Sequence, residues 1–182
     1  MGQLHGKRVA FLATDGFEDS ELTQPWTAIA DAGGASILVG PMLGTITGKH
    51  GHAQAVDVRS AEADVSRFDA LVLPGGVENA DSLRLDHHGA DFVRSFFEHH
   101  KPVGVICHGA WILIEAGVVA GRTLTSFPSV KTDLKNAGAT WVDEEVVVDQ
   151  GLVSSRTPDD LPAFCAKLVE EIGEGPHSGQ TA

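Results

Sequence analysis

The sequence predicts an α/β fold in which helices cover both faces of a mostly parallel sheet. Short apolar runs, typical of buried strands, alternate along the 182 residues with longer segments of helical periodicity. Three loops that carry glycine and polar residues each follow a predicted strand, at residues 14–19, 74–79 and 107–109. Because sites in such sheets lie outside the carboxyl ends of the strands, we expect the three loops to meet at one site.

The elements of the first half follow in order. Short runs of apolar and β-branched residues predict strands at 9–13, 36–40, 70–73 and 103–106. Residues 20–32 predict a helix that stops at the pair Gly33-Gly34, and residues 89–100 predict another. Residues 45–58 are rich in β-branched side chains but are interrupted by Gly48 and Gly51, a pattern that favours a hairpin.

The second half continues the alternation. A helical pattern follows residue 110, residues 124–126 predict a strand and residues 130–137 a helix, and short strands are predicted near 140–142, 146–149 and 152–155. The last helix is predicted at 158–172, with Pro158 in its first turn and two acidic residues at its positive end. We therefore expect a single domain over residues 7–172 and a disordered tail over 173–182.

The charge, the apolar runs and the motif spacing argue against several classes of partner, location and cofactor. The formal net charge of −12 argues against a nucleic-acid partner or an anionic membrane surface. The sequence has no apolar run of membrane-spanning length and no signal-peptide layout, so we expect a cytoplasmic protein. Its two cysteines lack metal-ligand spacing, and the glycines after residue 74 lack the rest of a dinucleotide fingerprint, so neither a metal nor a cofactor is expected.

Cys107 is the strongest candidate in the sequence for a reactive residue. It lies between the strand-like run 103–106 and a helical segment, where a thiol would project from the carboxyl edge of the sheet. The positive end of the following helix is expected to favour the thiolate. The alternative is a small buried apolar residue, the usual fate of a free cysteine and the preferred interpretation of Cys165.

Five segments, taken together and in order, resemble one protein family. They are residues 16–22 (GFEDSEL), 45–51 (TITGKHG), 71–76 (LVLPGG), 106–109 (ICHG), and 144–149 (EEVVVD) with 154–158 (SSRTP). On these segments the chain resembles the ThiJ/PfpI superfamily, and within it the PfpI-type branch of intracellular proteases and general stress proteins. The resemblance runs from Lys7 to about Ile172 and implies a flavodoxin-like sandwich that assembles as a homodimer or larger oligomer.

The resemblance also implies roles for individual residues. Cys107 would be the nucleophile and His108 its proton-transferring neighbour, while the backbone N–H groups of Gly76 and His108 would form an oxyanion hole. Glu21 would hydrogen-bond the sulfur. Because an ionised carboxylate would raise the pKa of the thiol, a reactive Cys107 requires that Glu21 hold or share a proton. Without the resemblance, Glu21 would be interpreted as a solvated acid in the first turn of a helix.

A further acid is implied by the same resemblance. In PfpI-type proteases a carboxylate a few residues beyond the paired glycines reaches the histidine from a neighbouring subunit. The corresponding stretch is one residue longer here, which places Asp81 at that position with Glu78 close by. The alternative for Asp81 is a loop acid that faces water.

Three functions from different classes remain open at this stage. The favoured one is a stress-response cysteine hydrolase that acts on a carbonyl of a peptide or of a carbonyl-damaged, glycated substrate, with a glyoxalase acting on methylglyoxal as a variant. The second is a redox-responsive stress protein whose Cys107 is oxidised. The third is a structural oligomer in which Cys107 is incidental. An α/β-hydrolase is disfavoured because Val105 stands where its nucleophile elbow needs glycine.

Overall fold

The computed structural model describes residues 2–182. Its strands are β1 (Arg8–Leu12), β2 (Ala35–Gly40), β3 (Gly44–Thr47), β4 (Ala53–Val56), β5 (Val58–Arg59), β6 (Ala70–Leu73), β7 (Val103–Ile106), β8 (Thr123–Leu124), β9 (Thr140–Trp141), β10 (Val147–Asp149) and β11 (Leu152–Ser155). Its α-helices are α1 (Asp19–Asp31), α2 (Val77–Leu83), α3 (His87–Glu98), α4 (Ala110–Glu115), α5 (Lys131–Asn136) and α6 (Leu161–Glu174).

Seven strands form the central sheet in the order β10-β11-β7-β6-β1-β2-β5. Strand β10 pairs antiparallel with β11, and the other neighbours in this sheet are parallel. The strands β3 and β4 form the predicted hairpin, and β8 pairs with β9 in a second small ribbon. The predicted flavodoxin-like arrangement, a mostly parallel sheet between helices, is confirmed.

Strand β1 explains why both faces of the sheet need helices. Val9 and Phe11 belong to the cluster that packs with α1 and α6, whereas Ala10 and Leu12 belong to the cluster that packs with α3 and α4. All four side chains are fully buried. Successive residues of a strand point to opposite faces, so a continuous apolar run such as this one needs cover on both sides.

Helix α2 was not predicted from the sequence. Its residues, Val-Glu-Asn-Ala-Asp-Ser-Leu, include turn formers with weak helix propensity. The helix is held by tertiary packing, because its residues Asn79, Ala80 and Leu83 are buried.

None of the helices between residues 2 and 182 is long and apolar enough to cross a bilayer.

The C-terminal tail differs from the expectation of disorder. Helix α6 continues to Glu174, and beyond it the backbone N–H of His177 donates to the carbonyl oxygen of His100 at 2.8 Å. Gln180 is fully buried, and the guanidinium of Arg122 donates to the carbonyl oxygen of Thr181. The sequence pattern missed these contacts because the segment has few apolar residues and is held mainly by hydrogen bonds to the body of the domain.

Candidate active site

The turn after β7 places Cys107 at the carboxyl edge of the sheet. Its backbone has φ of 62°, a left-handed conformation that costs a non-glycine residue about 1–3 kcal/mol. A 3₁₀ turn over Cys107–Gly109 leads directly into α4. Strain of this kind persists only where surrounding contacts impose it, and here it points the thiol away from the strand and into a cavity that Cys107 lines.

The loop after β6 meets the thiol from the next strand. The backbone N–H groups of Gly76 and His108 both face the sulfur of Cys107 and lower its pKa. Glycine is required here by space as well as by conformation. A Cβ on Gly75 would lie 2.4 Å from Glu21 Oε2, and one on Gly76, whose φ is 92°, would lie 2.3 Å from the carbonyl oxygen of Gly16. The two N–H groups for which the resemblance implies an oxyanion hole thus lie beside Cys107.

Glu21 comes from the first turn of α1 and is fully buried, so the interpretation as a solvated helix acid is wrong. Its Oε2 accepts a hydrogen bond from the N–H of Gly75 at 2.8 Å, and its Oε1 is buried without a partner among the described residues. Burial raises the pKa of this carboxyl to about 8 although the Gly75 bond opposes the shift. At neutral pH Glu21 therefore holds a proton, as a reactive neighbouring thiol requires.

The thiol of Cys107 departs from one expectation. The sequence predicted a thiolate favoured by a helix end, but burial, followed by the charge of Glu21, raises the pKa of Cys107 to about 12. The side chain is only 7% exposed, and the following α4 has six residues, so desolvation outweighs the N–H groups. Below pH 8 the charge of Glu21 disappears, and its protonated carboxyl stands beside the sulfur as a hydrogen-bond donor.

The imidazole of His108 lies beside the thiol of Cys107. Its Nδ1 lies 3.2 Å from Cys107 Sγ. Burial, with a smaller contribution from the charge of Lys49, lowers the pKa of His108, so the ring is neutral at neutral pH. A neutral imidazole with an unprotonated Nδ1 accepts the thiol proton as the sulfur attacks.

Two residues that hold the His108 ring were missed by the sequence analysis. Phe127 stacks on it with ring centroids 4.6 Å apart, and Ser129 Oγ lies 3.1 Å from its Nε2. The signal that could have found them is position, because they follow the predicted strand 124–126 much as the three recognised site loops follow theirs. Asn79 was missed as well; its buried amide donates to the carbonyl oxygens of Pro74 and Gly75 and thereby holds the glycine loop.

The cavity above Cys107 has a volume of about 580 Å³. The charged residues Glu18, Lys49 and Glu78 are part of its lining. Glu18 is held by the hairpin, since its two carboxylate oxygens lie 3.8 Å from Lys49 Nζ and 3.2 Å from His50 Nε2. His50 thus helps to place a carboxylate in the lining of the cavity.

Comparison with known proteins agrees with this geometry. Residues 7–171 match the sequence profile of the DJ-1/PfpI family. The chain belongs to the DJ-1/PfpI family. The resemblance found in the sequence motifs is therefore confirmed.

Three members illustrate the relationship. A protein of Pyrococcus abyssi named as a deglycase is 45% identical over 163 residues, which cover 90% of this chain and 98% of that protein. A protein of Bacillus subtilis named "Putative cysteine protease YraA" is 44% identical over 159 residues, covering 87% and 94% of the two chains. The crystal structure of a two-domain protein from Anabaena variabilis, with DJ-1/ThiJ/PfpI-like and ferritin-like domains, matches with a TM-score of 0.89 and 34% identity over 97% of this chain and 50% of that chain. The names of the relatives support a hydrolase-type enzyme.

The acid expected near His108 is not bonded to it within the described part of this DJ-1/PfpI chain. Asp81 is exposed on α2 and does not line the cavity, whereas the exposed Glu78 does. The Nε2 of His108, where such an acid would bind, is hydrogen-bonded to Ser129. An acid contributed by a second subunit stays a prediction.

Proposed function

We propose that this DJ-1/PfpI protein is a stress-response cysteine hydrolase of carbonyl-damaged, glycated substrates, with Cys107 as its nucleophile. The observation that carries the proposal is the setting of the sulfur. Its proton has a neutral acceptor in His108 Nδ1 at 3.2 Å, and two backbone N–H groups face it from the other side. Protonated Glu21 adds no negative charge next to the attacking atom at neutral pH.

The first step follows from this setting. As the sulfur of Cys107 forms a bond to the carbonyl carbon, its proton passes to His108 Nδ1 and the π electrons of the carbonyl move to its oxygen. The N–H groups of Gly76 and His108 are the donors that would stabilise the resulting oxyanion, an effect worth about 2.7–4 kcal/mol per donor in a measured protease. Where the attacked carbonyl carbon carries the amine, re-formation of the C=O bond breaks the C–N bond, and the amine leaves with the proton from His108. The acyl group then remains on Cys107 as a thioester, and water hydrolyses it to a carboxylic acid and the free thiol.

The size of the cavity favours a small substrate over an extended peptide. A volume of about 580 Å³ lies within the usual range of small-molecule sites, roughly 300–1,000 Å³. An amino acid or a single side chain that carries a carbonyl adduct fits such a site. The deglycase name of the relative from Pyrococcus abyssi supports the same choice.

The test compares three substrates on three proteins. Wild type, Cys107→Ser and Cys165→Ser are each assayed on a methylglyoxal-glycated amino acid, on methylglyoxal and on a chromogenic peptide. We expect wild type and Cys165→Ser to release the free amino acid at rates within about twofold of each other, and Cys107→Ser to lose at least about a hundredfold.

Any other outcome contradicts the proposed function and supports one of the following alternatives. Turnover of the peptide alone makes the protein a peptidase, and turnover of methylglyoxal alone makes it a glyoxalase. Full activity in Cys107→Ser assigns the chemistry to another group.

Oxidation of Cys107 is a second candidate function, favoured by one observation. The Glu21 side chain lies beside Cys107, and its buried Oε1 has no hydrogen-bond partner among the described residues. A protonated carboxyl there would donate to an oxygen of a sulfinate formed from Cys107. Mass spectrometry after mild peroxide treatment should find sulfinic acid at Cys107 in wild type and less of it in Glu21→Leu. Equal oxidation in the two proteins would exclude this role for Glu21.

A further inference from the structure

We propose that Ser129 is a positioning residue that holds the His108 ring in the tautomer whose unprotonated Nδ1 faces Cys107. The proposal rests on the cysteine-hydrolase function above. Ser129 lies between residues 109 and 144, a stretch that none of the five segments of the family resemblance covers.

The hydrogen-bonding capacity of the groups determines the tautomer. A neutral imidazole carries one N–H, and a protonated thiol is a donor. When the thiol, whose sulfur lies 3.2 Å from Nδ1, donates to that nitrogen, the ring proton resides on Nε2. The group within reach of that proton is Ser129 Oγ, at 3.1 Å. Ser129 is itself exposed, so its own hydroxyl proton is free to bond with water while the oxygen accepts from Nε2.

The position of the Ser129 hydroxyl is fixed relative to the ring. Ser129 lies in the 3₁₀ turn Pro128–Val130, whose last residue is buried. Just before this turn, Phe127 stacks on His108, and its backbone N–H donates to the carbonyl oxygen of Cys107 at 3.2 Å. Trp111 contacts the ring edge-on from α4, with centroids 5.3 Å apart. The ring is therefore confined by Phe127 on one face and by the T-shaped contact with Trp111, and it is directed in its plane by the sulfur and the serine.

A serine at this position differs chemically from a carboxylate. A carboxylate on Nε2 would stabilise the imidazolium, whereas a hydroxyl orients the ring and adds no charge. His108 then remains a neutral acceptor that takes the thiol proton and returns it within the same turnover.

Nuclear magnetic resonance of the ring nitrogens tests the tautomer without any substrate. In wild type at pH 7 the ¹⁵N shifts of His108 should identify a single Nε2–H tautomer. Ser129→Ala should give a mixture of the two tautomers, and Ser129→Thr, which keeps the hydroxyl, should restore the wild-type pattern. The control is Ser66→Ala, which removes an exposed serine from another 3₁₀ turn, Val65–Arg67, and should leave His108 unchanged.

Turnover of the glycated amino acid supplies the second readout. Ser129→Ala should lower kcat about tenfold with KM within about twofold, in the range found when a group that orients a histidine is removed. Ser129→Thr should recover most of the rate. Ser66→Ala, assayed in parallel, should change neither kcat nor the tautomer.

The outcomes separate this proposal from the proposed function. An unchanged tautomer in Ser129→Ala overturns the role of Ser129 whatever the activity. A loss of rate confined to Asp81→Asn overturns it in favour of an acid from a neighbouring subunit. If wild type turns over none of the three substrates, the hydrolase proposal fails while the ring measurement still decides how His108 is held.

Discussion

At the scale of single residues, the site depends on the order in which two buried groups lose their protons. Burial raises the pKa of Glu21 to about 8 and that of Cys107 to about 12. Glu21 is thus neutral over the range in which the thiol must act, and it repels a thiolate only above pH 8. In the proposed mechanism, the nucleophile is generated by transfer of the thiol proton to His108 during attack, and no standing thiolate is required.

Alkylation should distinguish the two cysteines. Burial raises the pKa of both thiols, to about 12 at Cys107 and to about 11 at Cys165. The two thiols differ in their neighbours: Cys107 has His108 Nδ1 at 3.2 Å, whereas no base lies beside Cys165 among the described residues. We expect iodoacetamide at pH 7 to label Cys107 faster in the folded protein, as measured by peptide mass spectrometry. Labelling in guanidinium chloride should erase the difference. Equal rates in the folded protein would remove Cys107 from the site.

Glu21 should also impose a pH dependence on stability. Its carboxyl ordinarily titrates near 4.5 and titrates near 8 in the folded protein. Between these values the folded state binds more protons than the unfolded chain, so the free energy of unfolding falls as pH rises, by up to ~1.4 kcal/mol per pH unit. Glu21→Gln should flatten this fall in denaturant unfolding measured at pH 5, 6.5 and 8.

An exposed carboxylate provides the control for that measurement. Glu62 is exposed in the 3₁₀ turn Ser60–Glu62. Because its pairing with Arg59 lowers its pKa, the effect of its ionisation on stability lies below this pH range. Glu62→Gln should therefore keep the wild-type slope. A Glu21→Gln protein with the wild-type slope would show that Glu21 is ionised when folded.

At the scale of elements, the close meeting of the β1–α1 and β6–α2 loops positions the donors. The backbone N–H of Glu18 donates to the carbonyl oxygen of Gly75 at 3.2 Å, and Asn79 Oδ1 accepts from the N–H of Thr14 at 2.8 Å. The two loops therefore act as one unit. The N–H of Gly76 faces Cys107 because there is no Cβ between these loops.

Replacing Gly76 should disturb this unit more than a turn glycine elsewhere. Gly76→Ala adds a Cβ 2.3 Å from the Gly16 carbonyl oxygen and also strains a positive φ, whereas Gly121→Ala strains a φ of 77° with nothing within 4 Å. We expect Gly121→Ala to lose about 1–2 kcal/mol of stability with full activity. Gly76→Ala should lose more and turn over the glycated amino acid more slowly. Thermal unfolding and initial rates measure both, and equal losses of stability would show that the loops separate freely.

At the scale of the whole molecule, assembly is the remaining expectation. The sequence predicts a homodimer or larger, so light scattering should give at least twice the chain mass of 19.1 kDa. A site that borrows an acid from its partner loses activity per subunit on dilution, whereas a site complete within one chain keeps it. A monomer at every concentration would contradict the assembly prediction.

The sequence by itself determined the sheet and the elbow. A strand buried on both faces must be apolar throughout, and a strand-to-helix turn at a sheet edge needs small residues, so the runs that became β1, β6 and β7 and the break at Cys107 were recognisable locally. The paired glycines were recognisable too, because residues that cannot form a strand follow one directly. Topology then brought Glu21, Gly76 and Cys107 together, as the positions of their loops predicted.

Only the tertiary structure decided the properties that depend on neighbours distant in the chain. Helix α2 forms from poor helix formers because Asn79, Ala80 and Leu83 are buried, and the tail is held by hydrogen bonds to His100 and Arg122. The pKa of Cys107 rises where the local pattern indicated a fall, because desolvation is a property of everything packed around the sulfur. Ser129 reaches His108 across 21 positions of sequence for the same reason: contacts between loops are set by the fold and leave no local pattern.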